Sequence, residues 1–94
     1  MKVEKINAIL LNEKDNVVTL FKDVKEGDIV EFQKAGNILK IVALQDTPAF
    51  HKIAILNIDL RSPILKYGEI IGFTKKSIRI GEYVHTHNLS SGGI

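Results

Sequence analysis

The sequence predicts a small, mainly β domain, and three features carry that prediction. Of the 94 residues, 45% are hydrophobic, and isoleucine and valine are prominent among them, which favours strands over helices. The apolar residues occur in short runs separated by glycine, asparagine and aspartate, as in hairpins. Almost no stretch shows the helical period. We therefore expect five or six short strands with little helix, in one compact domain over residues 1–89, followed by a flexible tail over residues 90–94.

The first hairpin is predicted by two apolar runs, residues 6–11 and 17–21, on either side of a polar loop. Asp15 and Asn16 lie at the end of this loop. Both residue types tolerate left-handed backbone conformations and hydrogen-bond nearby backbone groups. Turn chemistry therefore explains them without any functional role.

The second hairpin is predicted over residues 28–32 and 38–44. Gly36 and Asn37 lie between the two runs, and they supply the positive φ that a tight connection needs.

The middle of the chain is less regular. Residues 45–50 form the one clear loop that is not a hairpin, because Pro48 cannot donate a ladder hydrogen bond. Residues 52–56 are apolar on both faces, so they form either a central strand or a short buried turn, and periodicity does not decide between the two.

One four-residue pattern occurs three times, over residues 27–30, 68–71 and 81–84. Each copy has a glycine, then an acid, then two bulky apolar or aromatic residues. The pattern predicts a glycine with positive φ, a carboxylate in water and the start of a strand.

Charge and composition exclude several classes of function. The net charge is +2, no run of five like charges occurs, and the chain has no cysteine. Charge therefore gives no argument for a nucleic-acid or membrane partner, and a disulfide framework or thiolate metal site is excluded. The apolar run at residues 6–11 is too short for a signal peptide core or a membrane span. We expect a cytoplasmic protein. Exposed strand edges leave homo-oligomers open.

The most concentrated chemistry lies in the last third of the chain. On an extended strand, His85 and His87 would share one face with Tyr83. Histidine is the commonest neutral metal ligand, but a catalytic zinc usually takes three ligands from the protein. Metal or catalytic use therefore stands beside the alternative of exposed or core histidines.

Two other pairs of residues lie where loops meet strands. His51 and Lys52 follow the proline loop, and such positions often carry function. Lys66 and Tyr67 precede a turn glycine, where the lysine can bind a carboxylate and the tyrosine can donate a hydrogen bond. Solvated lysines and a half-buried aromatic residue in a charged turn are the alternatives. No phosphate loop, Ser-His-Asp order or dinucleotide glycine pattern occurs.

The order of these motifs resembles a known family. The succession is Asp-Asn-Val at 15–17, His-Lys-Ile-Ala at 51–54, Lys-Tyr-Gly at 66–68 with Ile-Gly at 71–72, and His-Thr-His-Asn-Leu at 85–89. It resembles the SAF-type (antifreeze-like, β-clip) domain at the N-terminus of altronate and galactarate dehydratases, and it also resembles the small subunit of sulfolactate sulfo-lyase. The resemblance spans nearly the whole chain and implies a β-clip fold.

The resemblance implies a hydro-lyase that dehydrates a sugar acid, altronate or a related aldonate or aldarate. Removing the proton next to a carboxylate requires a base and stabilisation of the enediolate, usually by a metal. The family implies Fe(II) or another divalent metal, shared here with a large catalytic subunit. Many relatives continue into that catalytic domain, whereas this chain stops at Ile94. We therefore expect a separate large subunit and no activity from this chain alone.

Site roles follow from the resemblance residue by residue. His51 and His87 are predicted as catalytic, and His85 and His87 as metal ligands. The family usually has glycine where this chain has Phe50, so a positive φ there would require Phe50 to change the loop. The residues predicted to contact or flank the substrate are Asp15, Asn16, Lys52, Lys66, Tyr67 and Asn88.

Two alternative functions remain open from the sequence. One is a non-enzymatic SAF module that binds an anionic carbohydrate or a protein. The other is the small subunit of a sulfolactate sulfo-lyase, in which sulfite replaces hydroxide as the leaving group.

Overall fold

The computed structural model describes residues 6–90, and these residues form nine short strands and no α-helix. The predicted mainly β, β-clip fold class is confirmed. The strands are β1 (Ala8–Ile9), β2 (Val17–Leu20), β3 (Ile29–Lys34), β4 (Asn37–Val42), β5 (Lys52–Ala54), β6 (Pro63–Lys66), β7 (Glu69–Thr74), β8 (Tyr83–Val84) and β9 (Leu89–Ser90).

Three small antiparallel sheets are built from these strands. Their strand orders are β1-β2-β5-β8, β3-β4 and β6-β7-β9. In the largest sheet, Ile53 pairs with Val18 on one side and with Tyr83 on the other. The segment that the sequence left undecided is therefore a central strand, β5.

The core lies on both faces of this four-stranded sheet. Because strand residues alternate between faces, Val18 and Ile53 belong to one buried apolar cluster, while Val17 and Ala54 belong to a second. A strand that is apolar on both faces has the pattern of a buried strand. Polar chemistry on β5 is thus confined to the end where it begins.

Two hairpins close through two-residue turns. Ala35 and Gly36 have φ values of 50° and 83°, and Tyr67 and Gly68 have values of 59° and 75°. Two consecutive left-handed residues are typical of the turn that matches strand twist. The turn predicted over Gly36 and Asn37 lies one residue earlier, because Asn37 is already paired in β4.

Four further turns share one backbone form, and we call them the clip turns. They cover residues 24–27, 47–50, 58–61 and 78–81, and their first residues form two bridges, Val24 with Thr47 and Ile58 with Ile78. The last residue of every clip turn has positive φ and donates its N–H to a carbonyl in a segment before the paired turn. These hydrogen bonds are Gly27 to Ala43 (2.8 Å), Phe50 to Leu20 (2.9 Å), Arg61 to Thr74 (3.1 Å) and Gly81 to Ala54 (2.8 Å).

The three-fold glycine pattern seen in the sequence joins two kinds of turn. All three glycines have positive φ, as predicted. Gly27 and Gly81 end clip turns, but Gly68 belongs to a hairpin. The other two clip turns end in Phe50 and Arg61, which hid them. Strand β6 was also not predicted; it begins at Pro63, a position where the missing N–H is tolerated.

The predicted flexible tail over residues 90–94 lies only partly within the described residues. Ser90, predicted to start the tail, pairs with Phe73 in the β7–β9 ladder. The rest of the predicted tail, residues 91–94, lies outside the described residues, as do residues 1–5. Within residues 6–90, no helix has the length and apolar character needed to cross a membrane.

Candidate functional site

Four rings gather where β5 begins and β8 ends, and we call them the ring cluster: His51, Tyr83, His85 and His87. The ladder explains the meeting, because Lys52 pairs with Val84 and Ile53 with Tyr83, so that the next step places His51 opposite His85. The centroid of the His51 ring lies 5.5 Å from that of Tyr83 and 5.1 Å from that of His85. The centroid of Tyr83 lies 5.6 Å from those of both His85 and His87.

Tyr83 is the hub of this cluster. Its hydroxyl lies 2.7 Å from Nδ1 of His51, and its ring is nearly parallel to that of His85, at 9°. Both His51 and Tyr83 are partly buried. The sequence placed Tyr83 beside His85 and His87, but no local pattern predicts its contact with His51, which lies 32 positions away.

The two C-terminal histidines do not lie on a strand, so that part of the sequence prediction is wrong. Strand β8 ends at Val84, and residues 86–88 form a turn. Asn88 closes this turn: its side chain accepts from the His85 N–H (3.0 Å) and donates to the Tyr83 carbonyl (2.9 Å). Both imidazoles nevertheless contact Tyr83, because the turn folds back beside β8. Asn88 itself is fully buried.

Lys52 and Lys66 form a second group. Burial, and then the charge of Lys66, lower the pKa of the Lys52 ammonium. Within residues 6–90, the one ion pair joins Arg79 to Glu82 and involves neither lysine. A partly buried cation beside another cation favours an anionic ligand, since an anion would offset both effects.

Lys52 and the ring cluster lie on different faces of the four-stranded sheet. His51 and Lys52 are neighbours on an extended chain, so their side chains point to opposite faces. Lys52 shares its face with Val17 and Ala54 in the ladder, whereas His51 shares that of Ile53. His51 and Lys52 both lie at the end where β5 begins.

Asp15 and Asn16 form a third group, which acts as a latch between the first loop and the β6–β7 hairpin. The Asp15 carboxylate accepts from the N–H groups of Tyr67 (2.9 Å) and Gly68 (2.8 Å). Asn16 donates to the carbonyl of Pro63 (2.9 Å) and accepts from the N–H of Leu65 (2.8 Å). Both latch residues are buried, and the Asp15 side chain reaches a turn 52 residues away instead of its own loop.

Tyr67 lies at the tip of the hairpin that the latch holds. Its side chain is 65% exposed, and Lys66 Nζ lies 5.6 Å from its ring centroid. The residues predicted to contact or flank the substrate therefore lie in four places: the latch, the lysine pair, the hairpin tip at Tyr67 and the turn closed by Asn88.

The described residues do not make a complete metal site. No group of three histidine, aspartate or glutamate side chains among residues 6–90 is placed to hold an ion. His85 and His87 alone would supply two ligands, whereas a catalytic zinc usually takes three from the protein. A catalytic metal would therefore need further ligands from outside residues 6–90.

Phe50 keeps the left-handed conformation at the position before His51. Its φ is 70°, and the equivalent residues Gly27 and Gly81 have φ values of 92° and 95°. The clip turn thus has the same form as its glycine counterparts, and the expected change of loop does not occur. The Phe50 side chain is 77% exposed.

Comparison with known proteins gives consistent matches. Residues 6–92 match the family model for the altronate/galactarate dehydratase SAF domain. The chain is 33% identical over 88 residues to altronate dehydratase of Escherichia coli (strain K12), a match covering 94% of this chain and 16% of that protein. It is 41% identical over 44 residues to (2R)-sulfolactate sulfo-lyase subunit alpha of Chromohalobacter salexigens, a match covering 47% of each.

Proposed function

The chain belongs to the altronate/galactarate dehydratase SAF domain family, and on this basis we propose that it is the small component of a two-component sugar-acid dehydratase. In this role it contributes residues to an active site that a separate large subunit completes. The proposed substrate is altronate or a related aldonate or aldarate.

The ring cluster is the observation that carries this proposal. Dehydration of a sugar acid requires removal of the proton next to the carboxylate and proton delivery to the departing hydroxyl. Three imidazoles and a phenol at one end of a rigid sheet supply groups of the right type for hydrogen bonding and proton transfer. The hydrogen bond between Tyr83 and His51 gives at least one of these rings a defined orientation.

The lysine pair supports an anionic substrate. Lys52 is partly buried, and burial together with the charge of Lys66 lowers the pKa of its ammonium group. A carboxylate would stabilise both cations. Because Lys52 and the ring cluster lie at the same end of β5 on opposite faces, a partner surface that covers this end would contact both.

The proposal requires a second polypeptide for the remaining chemistry. The matched altronate dehydratase is a much longer protein, of which this chain covers 16%, and the matched sulfo-lyase protein is named as a subunit. Fe(II) or another divalent metal, if the enzyme uses one, would draw most of its ligands from the large subunit, since residues 6–90 offer no group of three. Cytoplasmic location and self-association stay predictions.

Reconstitution tests the proposal directly. The 94-residue chain would be combined with the large dehydratase polypeptide from the same source, with Fe(II), and assayed for the 2-keto-3-deoxy product from D-altronate. We expect no turnover from this chain alone and turnover from the pair. Equal turnover by the large polypeptide alone would exclude the proposed role.

A pair of neighbouring substitutions then tests the ring cluster. His87→Ala should lower kcat sharply, while Thr86→Ala, at the adjacent exposed position, should leave kcat unchanged. Circular dichroism would verify that both variants keep the β fold. Full turnover in His87→Ala would remove His87 from the site.

A sulfo-lyase is the second candidate, because the local identity to the sulfo-lyase subunit reaches 41%. Sulfite release from sulfolactate by the reconstituted pair, without dehydration of altronate, would identify it. Tight binding of an anionic carbohydrate to the lone chain, with no activity in any pairing, would instead indicate a binding module.

A further inference from the structure

We propose that Tyr83 is a positioning residue that fixes which nitrogen of His51 faces the substrate. The inference deepens the proposed function and rests on it for its catalytic consequence. The hydrogen bond itself involves only two side chains of this chain. The 2.7 Å contact between the Tyr83 hydroxyl and His51 Nδ1 carries the inference.

The direction of this hydrogen bond follows from the chemistry of the two groups. A neutral imidazole has one N–H donor and one acceptor nitrogen, and the partner of one nitrogen decides the state of the other. A phenol is a stronger acid than the N–H of a neutral imidazole, so the favoured pairing has the Tyr83 O–H donating to Nδ1. The proton of neutral His51 then lies on Nε2.

The Nε2 side of the His51 ring is the side available to the substrate. Within residues 6–90, the side chain of His51 makes no hydrogen bond besides that to Tyr83, and the residue is partly exposed. The Nε2–H group is therefore free to donate to an oxygen of a bound sugar acid. This assigns His51 the role of a hydrogen-bond donor toward substrate oxygen, and it leaves the removal of a substrate proton to another group.

The rest of the ring cluster supports the position of the hydroxyl. The Tyr83 ring is stacked against His85 and contacts His87, and the backbone carbonyl of Tyr83 accepts from the Asn88 side chain. Packing from several sides restricts rotation of the ring, so the hydroxyl is held toward His51. Loss of the hydroxyl alone removes the hydrogen bond but keeps these ring contacts.

Nitrogen-15 NMR of the full 94-residue chain tests the inference without a partner or substrate. Long-range proton–nitrogen correlations at a pH where imidazoles are neutral distinguish the two tautomers, and His51→Gln would assign the signals. We expect His51 to show the Nε2–H pattern. In Tyr83→Phe its tautomer ratio should move toward that of free imidazole, by about fivefold, which is the effect of one ordinary hydrogen bond.

Tyr67→Phe is the matched control for this spectrum, because it removes a phenol hydroxyl from a ring that lies beside Lys66. It should leave the His51 pattern unchanged. An Nδ1–H pattern in the natural chain, or an unchanged His51 pattern in Tyr83→Phe with an intact backbone amide spectrum, would overturn the inference. Either outcome is separate from failure of the proposed function, since the measurement involves no turnover.

Discussion

The clip turns at residues 47–50 and 78–81 lead into the two strands that supply the ring cluster, and they have the same backbone form with different residues at the decisive position. Phe50 ends the first turn with φ 70°, and Gly81 ends the second with φ 95°. Each donates its N–H to a carbonyl across the clip, at 2.9 Å and 2.8 Å. The hydrogen bonding is thus equivalent.

The surroundings of the two positions differ. A Cβ built on Gly81 would collide with the carbonyl oxygen of Val42 and would approach Leu44 Cγ to 3.1 Å. Phe50 instead directs its side chain into solvent, with 77% of its surface exposed. The same left-handed backbone therefore excludes any side chain in one turn and tolerates a large one in the other, where the cost is conformational strain alone.

The largest expected effect in this comparison comes from Gly81→Ala. The substitution combines left-handed strain with a collision against backbone, so it should lower the free energy of unfolding by about 3 kcal/mol or more. Gly27→Ala is the matched control, because Gly27 has φ 92° but open space around its Cβ, and it should cost only about 1–2 kcal/mol. Urea unfolding would measure both. Equal losses would show that the close approach of Val42 is relieved without cost.

The next largest loss of stability is expected from Asn88, in the segment that follows β8. Strand β5 continues into the core, whereas β8 ends after two residues and Asn88 folds the chain back. Asn88→Ala removes two side-chain hydrogen bonds in a buried position and should cost about 2 kcal/mol. It should also shift the NMR signals of His85 and His87. Exposed Asn37→Ala should stay within about 0.5 kcal/mol. Unchanged imidazole signals would mean that Asn88 does not hold this turn.

The sequence predicted those parts of the fold that depend on local chemistry. The paired runs that became β1 and β2, and the left-handed glycines, follow from composition and turn preference. Only two of the four clip turns could be predicted from glycine, because Phe50 and Arg61 occupy the equivalent position in the other two. Asp23, Asp46 and Asn57 could have marked the turns, because each immediately precedes a clip turn. The side chain of each accepts an N–H from the other clip turn of the same bridged pair.

The candidate site was predictable in its histidines and not in its geometry. Contacts between residues 51 and 83 depend on the β5–β8 register, which no local pattern specifies. For the same reason, the separation of Lys52 from His51 onto opposite faces becomes apparent only once β5 is known to be a strand. The sequence placed Tyr83 beside His85 and His87, but no local pattern relates it to His51, so its central position in the ring cluster was not predicted.

Relief of strain at the first turn gives a smaller effect of opposite sign. Phe50→Gly removes a left-handed penalty of about 1–2 kcal/mol, and the greater freedom of glycine in the unfolded chain returns part of it. The net free energy of unfolding should rise by about 0.5–1 kcal/mol. Phe21→Gly, at an exposed position outside the left-handed residues, should lower stability. A loss of stability in Phe50→Gly would mean that the exposed phenyl ring makes a compensating contribution.

The smallest expected effect is a pH dependence of stability that arises from Lys52, at the start of β5. Lys52 begins β5, an inner strand, while Tyr83 begins β8 at the sheet edge. Burial and then Lys66 lower the pKa of Lys52 below 10.5, so the unfolded chain binds more protons between the folded pKa and 10.5. Stability contributed by this group must therefore rise with pH through that window and be reduced below it.

Removal of one cause should move this pKa back. Lys66→Gln should raise the pKa of Lys52 toward 10.5 without restoring it fully, because burial is the larger cause. Lys40→Gln, at an exposed position of β4, should leave it unchanged. NMR of isotopically methylated lysines would follow the titration of Lys52. If both variants gave the same Lys52 titration as the natural chain, the two lysines would not be coupled. The proposal that a single anionic group binds both lysines would then lose its support.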